Sequence, residues 1–145
     1  MSWWDDAVGR SAELMRTFTR EDLAAYRLLA GDTIESGQVP EPLIAGLFST
    51  LLGVRLPGAG TNYLKQSMSF PSRAVVGEPL RAVVEITSVR PEKRLVRLST
   101  ACAAADGRVI CEGEALVLAT GVPTAEQTST DYRKCPSPLT GRQKT

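Results

Sequence analysis

The stretch Val39–Gly53, VPEPLIAGLFSTLLG, constrains this chain more than any other. Leu43, Ile44, Leu47, Phe48, Leu51 and Leu52 recur at i, i+1, i+4, i+5, i+8 and i+9, which at 3.6 residues per turn makes one wide apolar stripe. The stripe predicts a buried helix rather than one laid on the surface. Its other side carries Ala45, Gly46, Ser49, Thr50 and Gly53, small residues that let a second layer of backbone come close. Gly46 and Gly53 weaken a solvated helix, so close packing is the expected reason for them. Everything after Gly60 reads as strand and turn. The fold class that follows is α+β: a central buried helix wrapped by an antiparallel β-sheet.

The flanking segments fill in this plan. Trp3 and Trp4 sit beside Asp5 and Asp6 in a leading segment expected to dock through its indoles without a regular element. Residues 11–18 suit a short strand. Thr19-Arg20-Glu21-Asp22 reads as a capping box with Asp in the usual Glu position, and Leu23, Tyr26, Leu29 and Ala30 follow at helical spacing, so a helix is predicted over 20–30. Residues 31–42, GDTIESGQVPEP, form a loop. In 62–70, Leu64, Met68 and Phe70 share one side of a strand, and Gln66 interrupts it, turned toward something polar. Three longer strands then form a meander over about 80–87, 95–103 and 109–119, turned at Pro91-Glu92-Lys93 and at Asp106-Gly107. The domain is expected to span 1–120. Residues 121–145, with three prolines and no apolar period, are expected to be a mobile tail.

Composition excludes some functions. Lys+Arg 17 against Asp+Glu 16 gives a net charge of +1, which offers no electrostatic case for nucleic acid or a membrane surface. No apolar run approaches the roughly 20 residues that span a bilayer, and the first ten residues lack the layout of a signal peptide, so a cytoplasmic protein is expected. The chain holds 3 cysteines without metal-ligand spacing, and Cys102 and Cys111 fall in predicted strands as buried free thiols. The decisive absence is histidine, of which there is none. General acid–base work then falls to carboxylates, Tyr, Lys, Cys or water, and no metal or other cofactor is expected. Asp32, Glu35 and Glu41 are the carboxylates of the loop between the helices, either solvated charges or members of a site.

Three segments carry a family resemblance: FTREDLAAYRLLAGD, LIAGLFSTLLGVRLPGAGTNYLKQSMSF and VVGEPLRAVVEITSVRPEKRLVRLSTACAAADGRVICEGEALVL. Together they resemble the MaoC-like, R-specific enoyl-CoA hydratases from about Trp4 to Ala119, with one gap. The resemblance implies a hot-dog subunit, a homodimer whose sheets join edge to edge, and an acyl-thioester substrate, on CoA or a carrier protein, bound near the interface. It also implies an Asp and a His as the acid–base pair, in a loop reading Gly-Asp-x-Asn-Pro-x-His-x-Asp.

In GDTIESGQ, Asp32 falls on the family Asp and Gly37 stands where the His would be, and the segment leading to the central helix is shortened. Pro40 and Pro42 replace residues whose backbone N–H would help to bind the thioester oxygen, leaving Glu41 and Leu43 as the nearest donors. Ser49 matches a family Ser that faces the active site. The expected catalytic residues are therefore Asp32, Glu35 and Ser49, with Glu41, Leu43, Phe48 and Gln66 as substrate contacts. Lys65, Arg55 and Arg81 are placed as phosphate contacts by position alone.

Loss of a general acid or base typically costs about 10²- to 10⁴-fold, so ordinary hydration is expected to be slow. The reading that follows is a repurposed lyase or cyclase acting on a polyketide-derived or acyl-thioester intermediate, with Asp32 as its polar or acid–base group. The alternatives are a residual hydratase or dehydratase using Asp32 with Glu35 or Ser49, and a noncatalytic acyl-binding or heterodimer partner.

Overall fold

The computed structural model describes residues 2–30 and 37–122. Asp32 and Glu35, and the predicted tail from Pro123 onward, lie outside the described residues. Among those described, five strands form one antiparallel sheet: β1 (Ser11–Thr17), β2 (Thr61–Ser69), β3 (Pro79–Arg90), β4 (Leu95–Ala104) and β5 (Val109–Ala119). Their order across the sheet is β1-β3-β4-β5-β2, so β1 and β2 are its edges. Helix α1 (Arg20–Ala30) follows β1, and helix α2 (Glu41–Thr50) precedes β2.

One face of the sheet forms the core. Val84, Ile86, Val96, Leu98, Cys102, Ala115 and Val117 are fully buried and alternate with half-buried or exposed neighbours, as a sheet covered on one side requires. The covering element is α2, whose Ile44, Leu47 and Phe48 continue into Leu51 and Leu52 of a π-helical turn (Leu51–Arg55). A five-stranded antiparallel sheet curled around one main helix is the α+β hot-dog arrangement expected from the sequence.

The helix is nevertheless not buried all round. Gly46, Ser49, Thr50 and Gly53 are exposed, and a Cβ added at Gly46 or Gly53 meets nothing within 4 Å. The second backbone layer expected on that side is not supplied by the described part of this chain.

Smaller differences have local causes. The capping box holds: Thr19 N–H donates to Asp22 Oδ2 at 2.8 Å and Asp22 N–H to Thr19 Oγ1 at 3.2 Å. The Thr19 N–H and, after it, the Arg16 guanidinium hold the Asp22 carboxyl below its ordinary range. Along α1, however, Leu23 is buried while Leu29 is exposed, so the expected apolar stripe is only partly used. Trp3–Asp6 form a 3₁₀ turn where no regular element was expected, with Trp4 buried against the core and Trp3 edge-on to it at 5.0 Å.

In β2 the register shifts between Tyr63 and Lys65. This bulge moves Leu64 off the inner face, leaving it 54% exposed, and brings Tyr63 into register with buried Val117.

Candidate functional site

The start of α2 is built by backbone pairing with the loop that joins β2 to β3. Val39 N–H donates to Ala74 O at 2.8 Å, Val76 N–H donates to Gly37 O at 2.9 Å, and Gln38 and Val75 form an antiparallel bridge. Arg73 Nη1 donates to Gln38 Oε1 at 2.8 Å. That loop is anchored in turn by Arg108, whose Nη2 reaches Glu78 Oε2 at 2.6 Å and the Arg73 carbonyl at 3.2 Å. Arg108 also donates from Nη1 to Asp106 at 2.8 Å. Its backbone N–H, more than its charge, holds the Asp106 carboxyl below the usual range.

Beside this junction lies a cavity of about 270 Å³, lined by Gln38, Glu41, Ile44, Phe70, Arg73 and Ile110 among others. Its apolar wall and polar rim suit a ligand with one apolar end and one polar end. Glu41 is exposed, and Leu43 is half-buried against the core. Pro40 caps the helix in an extended conformation, and the Leu43 N–H is spent on Pro40 O at 3.0 Å. Pro40 and Pro42 carry no N–H. The first turn of α2 therefore offers much less donor capacity than an ordinary helix start.

Strand β2 packs on the π-helical turn that extends α2, and touches α2 itself at two points. Ser49 Oγ and Tyr63 Oη are 3.3 Å apart near the helix end, whereas Phe70, just past the strand, shares the cavity wall with Ile44. Between these two points, Gln66 is in register with buried Ala115 and so belongs to the inner face. Gln66 is half-buried, and its Nε2 is buried with no hydrogen-bond partner among the described residues. The seam, meaning the inner face of β2 between these two points, thus has the cavity at one end and a hydroxyl pair at the other, with the Gln66 amide between them but outside the cavity lining.

The sequence-predicted site residues separate accordingly. Ser49, Gln66, Glu41 and Leu43 lie along the seam or at the start of its helix. Phe48 is 0% exposed and packs in the core, which sets it with the packing residues and not with those lining the cavity. Arg55 donates to Glu13 O at 2.6 Å and Arg81 pairs with the Glu13 carboxylate at 2.7 Å, so both are occupied at the β1 edge. Lys65 is exposed and pairs in register with Leu116, on the outer side of the bulge.

Tyr63 and Arg73 were not singled out from the sequence. Tyr63 could have been found only by recognising the bulge, and Arg73 carries no motif that marks it.

Cys102 and Cys111 are register partners on β4 and β5, both buried and free. Burial pushes both thiols up to about 11; for Cys111, Cys102, Glu41 and Glu112 add to the effect. At neutral pH they are inert thiols rather than nucleophiles. Among the described residues no group of three or more His, Cys, Asp or Glu could hold a metal ion, and no helix is long and apolar enough to cross a membrane.

No family model matches the chain. It is 35% identical over 129 residues to an (R)-specific enoyl-CoA hydratase of Rhodospirillum rubrum, an alignment covering 79% of this chain and 88% of that protein. Among solved structures, the (R)-hydratase of Aeromonas caviae involved in PHA biosynthesis superposes with a TM-score of 0.71 at 35% identity, covering 76% of this chain and 94% of that one. The unliganded R-hydratase PhaJ1 of Pseudomonas aeruginosa gives a TM-score of 0.74 at 25% identity, covering 81% and 84%.

Proposed function

The chain belongs to the MaoC-like, (R)-specific enoyl-CoA hydratase family, and from that premise we propose that it binds an acyl thioester along the α2–β2 seam and acts on it as a repurposed lyase or cyclase. Its hydration of simple enoyl thioesters is slow. The observation that carries this reading is a scaffold kept while its proton-transfer parts are altered. The chain has no histidine, and its α2 start has lost N–H donors to Pro40, Pro42 and the Leu43–Pro40 bond.

Hydration needs one group to take a proton from water, another to protonate the α-carbon, and donors to bear the enolate charge. Asp32 alone serves one proton transfer. Reactions that need little proton transfer and are driven mainly by holding a substrate in reactive geometry tolerate that loss, such as a cyclisation of a polyketide-type intermediate carried on CoA or a carrier protein.

In this reading the working unit is a homodimer joined through the free β2 edge. The exposed Val54, Leu64 and Tyr63 and the uncovered small-residue face of α2 support that arrangement, which would close the seam from outside.

A second reading, a residual hydratase pairing Asp32 with Glu35 or Ser49, is favoured by the identity to the hydratases and by the position of Ser49 on the seam. The loss of enoyl absorbance, measured on a panel of short and medium enoyl-CoA substrates with Asp32→Asn beside the wild type, separates the two. The first reading predicts near-silence from both proteins while the A. caviae enzyme is active under the same conditions. Efficient turnover abolished by Asp32→Asn establishes the second.

A further inference from the structure

The shortage of donors at the start of α2 leaves a bound thioester carbonyl poorly served, and the same seam contains a donor with nothing to bind. The Gln66 amide is placed on the inner face by its register with Ala115, and its Nε2 is buried without a partner among the described residues. A buried N–H left unsatisfied costs free energy that a bound acceptor returns. At the far end of the seam, the Ser49 and Tyr63 hydroxyls already bond to each other.

We infer that Gln66 supplies the hydrogen bond that the helix start lacks, its carboxamide N–H holding the carbonyl oxygen of the bound acyl thioester. This rests on the acyl-thioester reading of the seam and adds to it a named oxygen-binding group. A neutral amide suits the task. It donates without a proton to lose, and it stabilises a developing enolate oxygen more strongly than the ground-state carbonyl, so its effect falls mainly on turnover.

The test uses butyryl-CoA labelled with ¹³C at the thioester carbonyl, a saturated analogue that cannot be hydrated, with infrared difference spectroscopy and calorimetry on the full-length protein. In the wild type the carbonyl band moves to lower frequency on binding. In Gln66→Leu it returns to its position in free butyryl-CoA, and affinity falls by about 3- to 10-fold, the range of a single hydrogen bond. On any thioester that the wild type turns over, Gln66→Leu lowers kcat by about 10²-fold with KM little changed.

Gln66→Leu replaces an unsatisfied polar group by an apolar one of similar size, so its urea midpoint stays at or above that of the wild type. Gln66→Met is a second variant should the first fail to fold: its thioether has no N–H to donate, so the band shift is lost at any pH. A wild-type band that does not move on binding, or a shift that survives in both variants, overturns the inference and leaves thioester binding standing. Failure of the wild type to bind butyryl-CoA overturns the acyl-thioester reading and the inference with it.

Discussion

Gly113→Ala is the substitution whose outcome the sheet geometry determines most directly. Gly113 lies in β5, in register with Thr100 on one side and Met68 on the other. A Cβ built there overlaps the Ser67 carbonyl oxygen and comes within 2.9 Å of Met68 Cα. Both are backbone atoms, so no rotamer relieves the clash and β2 must move. Overpacking of this kind costs about 1–3 kcal/mol. Losing two ladder hydrogen bonds near Ser67–Met68 adds roughly 0.5–1.5 kcal/mol each.

The sum, about 2–6 kcal/mol, is a large share of the 5–15 kcal/mol by which a domain is ordinarily stable. The predicted drop in urea midpoint is about 1–3 M. Hydrogen exchange over residues 61–69 should speed up most, because β2 is an edge strand with one paired side. The control is Gly46→Ala, where the new Cβ meets nothing within 4 Å and the helix gains about 0.5–1 kcal/mol. A Gly113→Ala protein that unfolds at the wild-type midpoint would refute the β2–β5 packing described above, and with it the position of Gln66.

Phe48→Ala should cost about 3–5 kcal/mol in urea unfolding, as expected for a fully buried aromatic ring. Thr19→Ala removes the cap of α1 and should cost about 0.5–2 kcal/mol, with helical circular dichroism as the readout. The buried thiols set the alkaline behaviour. Their folded pKa of about 11 lies above the unfolded value, so their contribution is complete below about pH 8.5 and is lost as the pH rises toward 11. The urea midpoint should fall across that range, and Cys102→Ala with Cys111→Ala should flatten the fall; a pH-independent wild-type midpoint contradicts this.

Much of the fold was legible because local and global signals agree. The Thr19–Asp22 box marks α1, and β5 runs Val109–Ala119 as its alternation indicates. What was not legible depended on tertiary context. The small face of α2 promises close packing, but composition cannot say whether the neighbour comes from the same chain or another, and here the face is open. The bulge at Leu64 shifts parity by one residue, so simple alternation put Leu64 inside and overlooked Tyr63. Gln66 was expected to turn inward toward a polar partner. It does face inward, and among the described residues its Nε2 has no hydrogen-bond partner.

The most direct test of acyl-thioester binding in the seam is a crystal structure of the full-length protein with butyryl-CoA. The prediction is a thioester lying between α2 and β2, with its carbonyl oxygen within hydrogen-bond distance of Gln66 Nε2 and its acyl end toward Ser49 and Tyr63. An acyl group bound on the outer face of the sheet, or a seam closed by side chains in a complex that holds the ligand elsewhere, would contradict it.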